Sequence, residues 1–399
     1  MTMSSLQAKI QDDDDDQFQL DETQIEAIDK CIDITKRIVA VTGAAGTGKT
    51  TILQNVYRHL YKQGRTVVLC APTGKALVST DPKRDRNNPL DAKVILVDEY
   101  AMVNVEVHRN LLDAMPNGGV IRMFGDANQL QPIETNKRIQ GEPSSFLKML
   151  DKFDGIRLET IHRQADDSNI ISNGKRIIVG NMPKRAEDFD IKITEQPVEA
   201  VLDFIQDNLA NEIDYGTTEH QIISPTKVGW VGCEAMNSAI QQLLQPSSKT
   251  YNIVERHKWV KIEEQRVYQG DKVIFTVNNY PLDIFNGETG IIESFTPDSG
   301  IVVNFGDKTI AIPVALEMEG KHGTYYINPQ KDLDLAYVIT THKSQGSEYN
   351  RVCYIMNKSR SYLLNRKNLY TAISRARTHV TIITDARSID LSLYKKGDT

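Results

Sequence analysis

Apolar and polar positions follow two different patterns along this chain. Over most of its length, short apolar runs such as RIVAVTG, VILVDE and VIRMFGD stand between segments with apolar positions three and four residues apart. The runs are typical of parallel strands buried on both faces, and the spaced segments are typical of amphipathic helices. Their alternation predicts an α/β fold with parallel sheets, and polar turns follow the strand ends, where such sheets bind ligands.

The second pattern occupies about residues 265–322. Stretches such as KVIFTV and GIVVNF alternate apolar and polar residues, and Gly, Asn, Asp and Pro separate them. This pattern predicts a small all-β module inserted in a second α/β domain. We therefore expect two tandem α/β domains, with the β module inside the second. Their predicted ranges are 20–150 for the first domain, and 151–264 with 323–399 for the second.

The charge of the chain is concentrated at its start. Residues 1–30 hold nine acidic and two basic residues, so the remaining residues sum to +1 although the whole chain carries −6. Residues 1–19 are predicted to be an acidic, solvated tail; the alternative is a nucleic-acid mimic that occupies a binding channel. A near-neutral body is compatible with a basic channel.

Hydropathy and cysteine usage define the expected compartment. No apolar stretch reaches the length of a membrane span, and the start lacks the apolar segment of a secretion signal. The four cysteines form no CxxC pair, which favours reduced thiols over a metal site or a disulfide framework. We expect a soluble cytoplasmic protein without a membrane partner.

The segment GAAGTGKT has the GxxxxGK[ST] spacing of a phosphate-binding loop. It lies between an apolar strand and a helix, where backbone N–H groups can converge on phosphates. Lys49 would contact the β- and γ-phosphates, and the Thr50 hydroxyl would ligate Mg²⁺. The predicted contacts with the nucleotide are Gly43, Ala44, Ala45, Gly46, Thr47, Gly48, Lys49, Thr50 and Thr51. This loop predicts a nucleoside triphosphatase.

Two further strand ends carry polar side chains. Asp98 follows the apolar run VILV and would hold Mg²⁺ through water, while Glu99 could polarise the attacking water. Gly125 and Asp126 end the next strand, and Gln129 beyond them is suited to sensing the γ-phosphate by a hydrogen bond. The alternative at both strand ends is an ordinary polar turn.

Two arginines of the second domain are candidates for catalysis. Arg163 lies in LETIHRQ and Arg375 in YTAISRAR. A guanidinium can stabilise the charge that phosphoryl transfer spreads over oxygen atoms. If the nucleotide is held by the first domain, hydrolysis would then depend on domain closure. Spacing alone leaves open that both are ordinary surface charges.

The motifs occur in an order that resembles the superfamily 1B DNA helicases of the RecD-like and Dda-like branch. They include LDETQ, VTGAAGTGKT, LCAPTGKA, VILVDE, FGDANQLQPI, LETIHRQ, AYVITTHKSQGSE and LYTAISRAR, from about Leu20 to about Asp385. The resemblance implies two RecA-like domains with a Src-homology-3-type β-barrel inserted near 265–322. It also implies ATP and Mg²⁺ as cofactors and 5′-to-3′ movement on single-stranded DNA. Replication or recombination proteins as partners, and a monomer as the functional unit, are further expectations.

The resemblance also implies roles for individual residues. Gln24 would read the adenine, and Gly346 and Glu348 would lie near the γ-phosphate and ribose. The strand-binding residues would be Pro72, Thr73, Lys75, Asn278, Asn279, Tyr280, Thr341, His342 and Ser344. Hydroxyls, a Lys and a His at strand ends can bind phosphates without reading bases. Alternatives stay open: Thr73 as a helix cap, His342 as a bridge between loops, and residues 278–280 as a structural turn.

One expected element is not recognisable. Members of the family place a Thr-Ile-His-type motif and a duplex-splitting β-hairpin, the pin, before the strand VILV. Here only TDPKRDRNNPLDAK is available, so the pin is predicted to be reduced to a loop near 78–93. Strand separation is therefore in question, whereas ATP-driven movement is not. An RNA helicase or translocase and a nucleotide-switched clamp or loader are the alternative functions.

Overall fold

The apolar runs of the sequence form two separate parallel sheets. The computed structural model describes residues 20–72, 84–134, 136, 141–153, 155–160, 168–244, 259–262, 265–320 and 323–397. These residues form two units that divide between Ser168 and Asn169, and residues from Lys396 onward are grouped with the first.

The first unit is a five-stranded parallel sheet with helices on both faces. Its helices are α1 Glu22–Ile32, α2 Lys49–Lys62, α3 Val105–Asp113 and α4 Ser145–Lys152. Its strands are β1 Ile38–Gly43, β2 Val67–Cys70, β3 Val94–Val97, β4 Val120–Gly125 and β5 Ile156–Leu158. The strand order is β2-β3-β4-β1-β5, with every pair parallel. Successive residues of a strand serve opposite faces: Leu96 packs towards α1 and α2, and Ile95 packs towards α4.

The first unit ends later than the sequence-based boundary after residue 150. Val41 pairs with Ile156 and Gly43 pairs with Leu158, so β5 is an edge strand of the first sheet. A three-residue strand carries too little apolar pattern for the sequence to assign it to either sheet.

A buried arginine fastens α1 to this sheet. Arg122 lies in the middle of β4, faces the same side as Phe124 and is fully buried. Its guanidinium donates hydrogen bonds to the carbonyl oxygens of Cys31, Asp33 and Lys36 at 2.6, 2.9 and 3.0 Å. The last carbonyls of a helix lack helical partners and favour positive charge. Arg122 therefore fixes the end of α1 against β4, although burial lowers the pKa of its guanidinium.

The second unit contains the other parallel sheet. Its helices are α5 Asn169–Ile178, α6 Pro197–Ala210, α7 Cys233–Leu244, α8 Arg366–Ile373 and α9 Ala386–Tyr394. The strands of this sheet are β6 Phe189–Ile193, β7 His220–Ser224, β17 Val338–Thr340, β18 Tyr349–Met356 and β19 Ala376–Thr384. They are parallel in the order β17-β7-β18-β19-β6. With its two parallel sheets, the predicted α/β fold class is confirmed.

An antiparallel sheet occupies the chain between β7 and β17. The intervening strands are β8 Trp259–Ile262, β9 Gln265–Tyr268, β10 Lys272–Phe275, β11 Thr289–Phe295, β12 Ile301–Asn304, β13 Thr309–Ile312, β14 Leu316–Gly320, β15 Gly323–Ile327 and β16 Leu333–Leu335. Five of them form the sheet β13-β12-β11-β10-β16, while β8–β9 and β14–β15 are separate hairpins.

This antiparallel sheet extends beyond the predicted limit at residue 322. Val273 pairs with Leu335, so the run DLDLAYVIT is divided between two sheets: β16 joins β10, and β17 joins β7. Only Ala336 and Tyr337 separate the two strands, and both are buried. The sequence shows one continuous apolar run there, which hides the change of partner.

Buried polar contacts hold the two sheets of the second unit together at this junction. The Tyr337 hydroxyl donates to Asp271 at 2.8 Å, and the Asn237 side chain donates to the carbonyl oxygens of Leu335 and Val338 at 2.9 and 3.0 Å. The ammonium of Lys272, whose pKa is lowered to about 7 by burial, donates to the His220 carbonyl at 2.7 Å.

The connection from β2 to β3 is described from residue 84 onward. In this part no strand forms; Asp85 and Asn88 close a turn through mutual backbone hydrogen bonds. The Arg86 guanidinium pairs with Asp113 at 2.7 Å, and the Leu90 N–H donates to the Ala114 carbonyl. Residues 84–93 therefore lie against the end of α3 as a loop.

The contacts of Arg122 predict a large effect on stability. We expect Arg122→Ala to lower the free energy of unfolding by about 3 kcal/mol, because buried carbonyls lose their donor. Chemical denaturation followed by circular dichroism measures this difference. The control Arg109→Ala removes an exposed arginine of α3 and should change the midpoint little. Equal midpoints for the two variants would contradict the structural role of Arg122.

Candidate nucleotide-binding and strand-binding sites

The predicted phosphate loop joins β1 to α2. Gly46 and Gly48 have φ values of 81° and 80°, and Gly48 is the N-cap of α2. A Cβ atom at Gly48 would lie 2.4 Å from the Gln24 side-chain nitrogen, so only glycine fits there. The Lys49 ammonium donates to the carbonyl oxygens of Gly43 and Ala44 at 2.8 and 2.9 Å. The loop thus presents a helix N-terminus and a lysine, a combination that binds phosphate anions.

Gln24 links α1 to this loop. Its side-chain nitrogen donates to the Thr47 carbonyl at 3.1 Å, and its side-chain oxygen accepts from the Asp21 N–H at 3.2 Å. The Gln24 N–H donates in turn to the Asp21 carboxylate, which completes a capping box at the start of α1. Both ends of the buried Gln24 amide therefore contact protein in this structure. The adenine contact implied by resemblance stays a prediction.

Asp98 and Glu99 follow β3 at the same edge of the sheet. An Asp98 carboxylate oxygen accepts from the Glu99 N–H at 2.9 Å. Burial, and next to it the charge of Glu99, raise the pKa of Asp98 to about 6, while the charge of Lys49 acts in the opposite direction. Two adjacent carboxylates in a buried position create a strong demand for positive charge.

Glu99 is held in an unusual conformation. Its φ of 49° and ψ of 36° are left-handed, a conformation that costs a non-glycine residue about 1–3 kcal/mol. Its Oε2 atom is buried and has no hydrogen-bond partner among the described residues. Strain together with an unpaired buried oxygen is typical of a group positioned for a substrate or for water.

The end of β4 contributes the third part of this site. Ala127 donates its N–H to the Thr42 hydroxyl of the neighbouring strand β1 at 3.0 Å, and Asn128 donates its N–H to the Asp126 carboxylate at 2.9 Å. Gln129 is 3% exposed, and its side-chain oxygen has no partner within the described part of the chain. The adjacency of β3, β4 and β1 thus brings the predicted Asp98, Glu99 and Gln129 to the edge that carries the phosphate loop.

These residues fit a nucleotide with Mg²⁺. Asp98 offers a carboxylate, and Thr50 in the first turn of α2 offers a hydroxyl, and both are oxygen donors of the kind that Mg²⁺ prefers. In the described residues no three His, Cys, Asp or Glu side chains converge as a metal site.

Arg375 lies in the second unit, between α8 and β19. It is 4% exposed, and its guanidinium donates to the carbonyl oxygens of Thr371 and Ser347 at 3.2 and 3.3 Å and to the Ser374 hydroxyl at 3.1 Å. No carboxylate among the described residues pairs with it. Arg375 is therefore a buried cation held by neutral acceptors rather than an ordinary surface charge.

Gly346 and Glu348 lie in the loop that follows β17. Gly346 has a φ of 76°, and the Glu348 carboxylate accepts from Arg377 at 3.1 Å. The predicted roles of both residues near the γ-phosphate and ribose stay predictions.

The loop after β17 contains three of the predicted strand-binding residues. Thr341 is fully buried, and its hydroxyl donates to the Asn368 side chain at 2.7 Å. Ser344 is also fully buried and donates to the Thr341 carbonyl at 2.8 Å. His342 lies between them and is partly exposed; burial lowers the pKa of its imidazole. Of the three, His342 is the side chain that a strand can reach, while the two hydroxyls hold the loop in shape.

The predicted turn at residues 278–280 connects β10 to β11. Asn278 is partly exposed and accepts from the Asn286 N–H at 2.9 Å. Asn279 is buried and accepts from the Leu282 N–H at 3.2 Å, so its side chain shapes the turn. Tyr280 is exposed and stands edge-on to Phe285. The turn combines one structural residue with two that are accessible.

Several predicted residues lie outside the described residues. They are Thr73, Lys75 and Arg163, together with the acidic tail at 1–19. Pro72, the remaining predicted residue of this group, is partly exposed two residues after β2.

Sequence reasoning missed Asn368. This residue is 1% exposed, and its side-chain oxygen accepts from the hydroxyls of Thr341 and Tyr354 at 2.7 and 2.9 Å. It thereby ties α8 to the loop after β17. An asparagine inside the apolar run NLYTAI was the available signal, because a buried amide needs partners.

Comparison with known proteins extends these observations. A phosphate loop between β1 and α2, with a partly buried carboxylate pair after β3 at the same sheet edge, assigns the first unit to the P-loop nucleoside triphosphatase class. Family models match three parts of the chain: an AAA domain at 19–190, the SH3 domain of ATP-dependent RecD-like DNA helicases at 236–305, and a UvrD-like helicase C-terminal domain at 335–383. Together these matches make the chain similar to the superfamily 1B helicases of the RecD-like branch.

Two curated relatives illustrate the match. The ATP-dependent RecD2 DNA helicase of Deinococcus radiodurans is 28% identical over 361 residues, which cover 86% of this chain and 46% of that protein. The RecD subunit of the RecBCD enzyme of Mycobacterium tuberculosis is 23% identical over 426 residues, covering 92% of this chain and 70% of the subunit. The chain thus spans about half the length of the RecD2 relative.

Solved structures of Pif1 helicases share the fold. A Pif1 structure solved to explain unwinding at forked double-stranded DNA has 22% identity and a TM-score of 0.56, with 92% of each chain covered. Bacteroides Pif1 bound to single-stranded DNA has 20% identity and a TM-score of 0.55, again with 92% of each chain covered. Within the described residues, no helix is both long and apolar enough to cross a membrane.

The geometry of the first unit predicts how two variants differ. Lys49→Ala should abolish ATP turnover and weaken nucleotide binding, because the phosphates lose their cation. Glu99→Gln should lower turnover about 100-fold or more yet retain nucleotide binding, because it removes a general base rather than a phosphate contact. Steady-state turnover and binding of a fluorescent ATP analogue separate the two effects.

The control for both variants is Glu106→Gln, which changes an exposed carboxylate on α3. It should behave as the unaltered protein. Normal turnover in a folded Lys49→Ala protein would contradict the assignment of the phosphate loop to the active site.

Proposed function

We propose that this chain is an ATP-driven motor that moves in the 5′-to-3′ direction along single-stranded DNA. The observation that carries the proposal is the edge of the first sheet. There a phosphate loop adjoins a strained Glu99, whose buried Oε2 has no partner among the described residues, and a buried Gln129 whose side-chain oxygen lacks one as well. Unsatisfied buried acceptors beside a phosphate site are expected where water is to be oriented for attack.

Each residue of this edge has a definite task in hydrolysis. Lys49 would leave the loop carbonyls and neutralise the β- and γ-phosphates, and Asp98 and Thr50 would hold Mg²⁺. The chemistry that Mg²⁺ would supply there is positive charge to offset the charge that develops on the phosphate oxygens. Glu99 accepts a proton from the attacking water, and Gln129 reports the presence of the γ-phosphate through its side-chain amide.

Arg375 is assigned a role in stabilising the transition state, by its motif and by its burial. Its guanidinium is already desolvated and bonded only to neutral acceptors. Such a group gains most when it meets the charge of a phosphoryl transition state. We assign Arg163 the same task from its motif. Both arginines lie outside the phosphate loop, so they would have to reach the nucleotide for hydrolysis to occur. This requirement would couple hydrolysis to a conformational change, and that change would drive movement along the strand.

The strand-binding task is assigned to the loop after β17 and to neighbouring motifs. Of the three motif residues in that loop, His342 is the accessible one, with Thr341 and Ser344 holding the shape of the loop from inside. Asn278 and Tyr280 are accessible on the β10–β11 turn and offer an amide and an aromatic ring to the strand. Pro72, Thr73 and Lys75 are assigned by their motif. Such contacts bind phosphates and stack on bases without reading sequence.

The proposed substrate and polarity rest on the relatives. RecD2 of Deinococcus radiodurans bears the name of an ATP-dependent DNA helicase, and a Bacteroides Pif1 structure is described as bound to single-stranded DNA. We extend ATP dependence, single-stranded DNA and 5′-to-3′ movement to this chain. We further propose that a monomer is the functional unit, that it acts in the cytoplasm, and that replication or recombination proteins are its partners.

The role proposed for Arg375 predicts a loss of turnover without a comparable loss of binding. Arg375→Ala should lower DNA-stimulated turnover by about 1,000-fold with a much smaller effect on nucleotide affinity. Arg375→Lys should not restore turnover, because a point charge does not reproduce the planar fork. Arg163→Ala should behave like Arg375→Ala.

The control is Arg387→Ala, an exposed arginine of α9. Thermal melts verify that each variant is folded. Near-normal turnover in both Arg163→Ala and Arg375→Ala would exclude the arginines from catalysis.

The reduced pin predicts that movement and unwinding differ in speed. Residues 84–93 form a loop against α3 rather than a hairpin, and each stacking step of DNA costs about 1.4 kcal/mol to open. We expect ATP turnover stimulated by single-stranded DNA, rapid translocation, and slow unwinding of a 5′-tailed duplex that slows further with GC content. A 3′-tailed duplex should stay intact.

The same assay tests the proposed function as a whole. Stopped-flow measurements on 5′- and 3′-tailed substrates, with RNA as a competitor, give direction, speed and substrate. Preference for RNA, or absence of stimulation by any strand, would overturn the proposed function. Unwinding that keeps pace with translocation at every GC content would instead show that residues 78–93 act as an effective wedge.

A further inference from the structure

The loop between β7 and α7 displays an aromatic side chain in water. Trp230 is 80% exposed, and among the large apolar side chains of the described residues only Tyr394 exposes more. Tryptophan buries more apolar area than any other side chain when it packs, and in folded proteins it is mostly covered. An almost fully exposed tryptophan therefore requires an explanation.

The backbone around Trp230 is held firmly in place. The Ser224 hydroxyl donates to the Val231 carbonyl at 2.8 Å, and the Thr226 hydroxyl donates to the Val228 carbonyl at 2.8 Å. Val231, the residue after the tryptophan, is 1% exposed and packs in the core. The Cys233 N–H closes the loop by donating to the Thr226 carbonyl at 3.1 Å. A loop fixed on both sides keeps Trp230 outside instead of letting it fold back onto the protein.

Glycines make this loop too tight to rearrange easily. Gly229 has a φ of 104°, a conformation that L side chains rarely adopt. A Cβ atom at Gly232 would lie 2.5 Å from the backbone carbon of Val228. The exposure of Trp230 is therefore a property of the fold of the loop.

The loop lies beside the predicted strand-binding loop. Strands β7 and β17 are neighbours in register, with Ser224 opposite Thr340, and the Thr341 N–H donates to the Ser224 carbonyl at 3.1 Å. Because parallel strands end at the same edge of a sheet, the Trp230 loop and the loop of His342 leave that edge side by side.

Each of these neighbouring loops carries a lysine. Lys227 precedes Trp230 in the same loop, and Lys343 lies three residues after the end of β17. Lys227 pairs loosely with Glu234 at 3.6 Å, and Lys343 pairs with Asp334 at 3.3 Å. Such exposed pairs are worth little and can exchange for phosphate oxygens.

We propose that Trp230 is a stacking platform for one base of the single strand, with Lys227 and Lys343 beside the adjacent phosphates. This inference rests on the proposed function and adds a base contact from a residue outside the helicase motifs. One aromatic ring among cations suits base stacking, which tolerates any sequence because every base has a π-face. A docked protein would need a wider apolar patch than one ring and the partly exposed Val228.

The test compares the full-length protein with three variants by fluorescence anisotropy of a dye-labelled oligothymidylate. Trp230→Ala should raise the Kd about tenfold, and Trp230→Phe should stay close to the unaltered protein. The matched control Tyr394→Ala removes an equally exposed aromatic at the end of α9. That helix follows β19, which β18 separates from β7 in the sheet. This variant should therefore not change the Kd.

An abasic strand separates stacking from phosphate contacts. On the same oligonucleotide without bases, the unaltered protein and Trp230→Ala should bind equally, because the ring has nothing to stack on. The slope of log Kd against log salt should be the same for both proteins on the normal strand, since no phosphate contact is lost. Tryptophan fluorescence should be quenched by the normal strand and much less by the abasic one, and Trp230→Phe should lose this difference.

The outcomes distinguish this inference from the proposed function. If the unaltered protein binds oligothymidylate and Trp230→Ala binds as tightly as Tyr394→Ala does, Trp230 is not a base contact and the motor proposal stands. Equal losses on normal and abasic strands would also overturn the stacking role. If the unaltered protein binds no strand at all, both proposals fail together. Thermal melts of the variants ensure that a lost affinity is not a lost fold.

Discussion

The nucleotide site depends on the hydrogen bonds that the buried Arg122 guanidinium donates to backbone carbonyls in the first unit. They hold the end of α1, an eleven-residue helix whose start carries Gln24. Gln24 in turn holds the Thr47 carbonyl of the phosphate loop. The loop is therefore positioned twice: covalently by β1, and through α1 by β4. Since β4 also leads to Asp126 and Gln129, these two residues and the phosphate loop share one support.

Much of the fold could be predicted from the sequence because its signals are local. Apolar runs bounded by Gly and Asp identify the parallel strands, and the alternating pattern near 265–322 identifies the antiparallel sheet. Strand partners are a different matter. In the run DLDLAYVIT, no change of sequence pattern after Leu335 indicates that the pairing partner changes from β10 to β7. The three-residue β5 likewise has no sequence feature that predicts its pairing with β1. Both boundaries depend on pairing across distant segments.

In the site, too, the residues that could be predicted are those identified by local sequence patterns, whereas contacts between distant segments could not be predicted. The phosphate loop and Asp98–Glu99 follow from spacing within a few residues, and the structure brings them to one sheet edge. The partners of Arg122 lie 86 to 91 residues away, and Asn368 meets Thr341 across 27 residues, so no local pattern reveals either contact. The sequence also does not predict which side chains of the loop after β17 are exposed. Thr341 and Ser344 belong to a predicted strand-binding motif, yet both are buried because their hydroxyls make hydrogen bonds within the protein.

The two-residue junction between β16 and β17 has a mechanical consequence. A strand of the antiparallel sheet continues, after Ala336 and Tyr337, into the strand that carries the His342 loop, and buried hydrogen bonds clamp the junction on both sides. Because only two buried residues connect the strands, no flexible linker separates the two sheets. A displacement of the antiparallel sheet is therefore transmitted through β17 to the loop that carries His342.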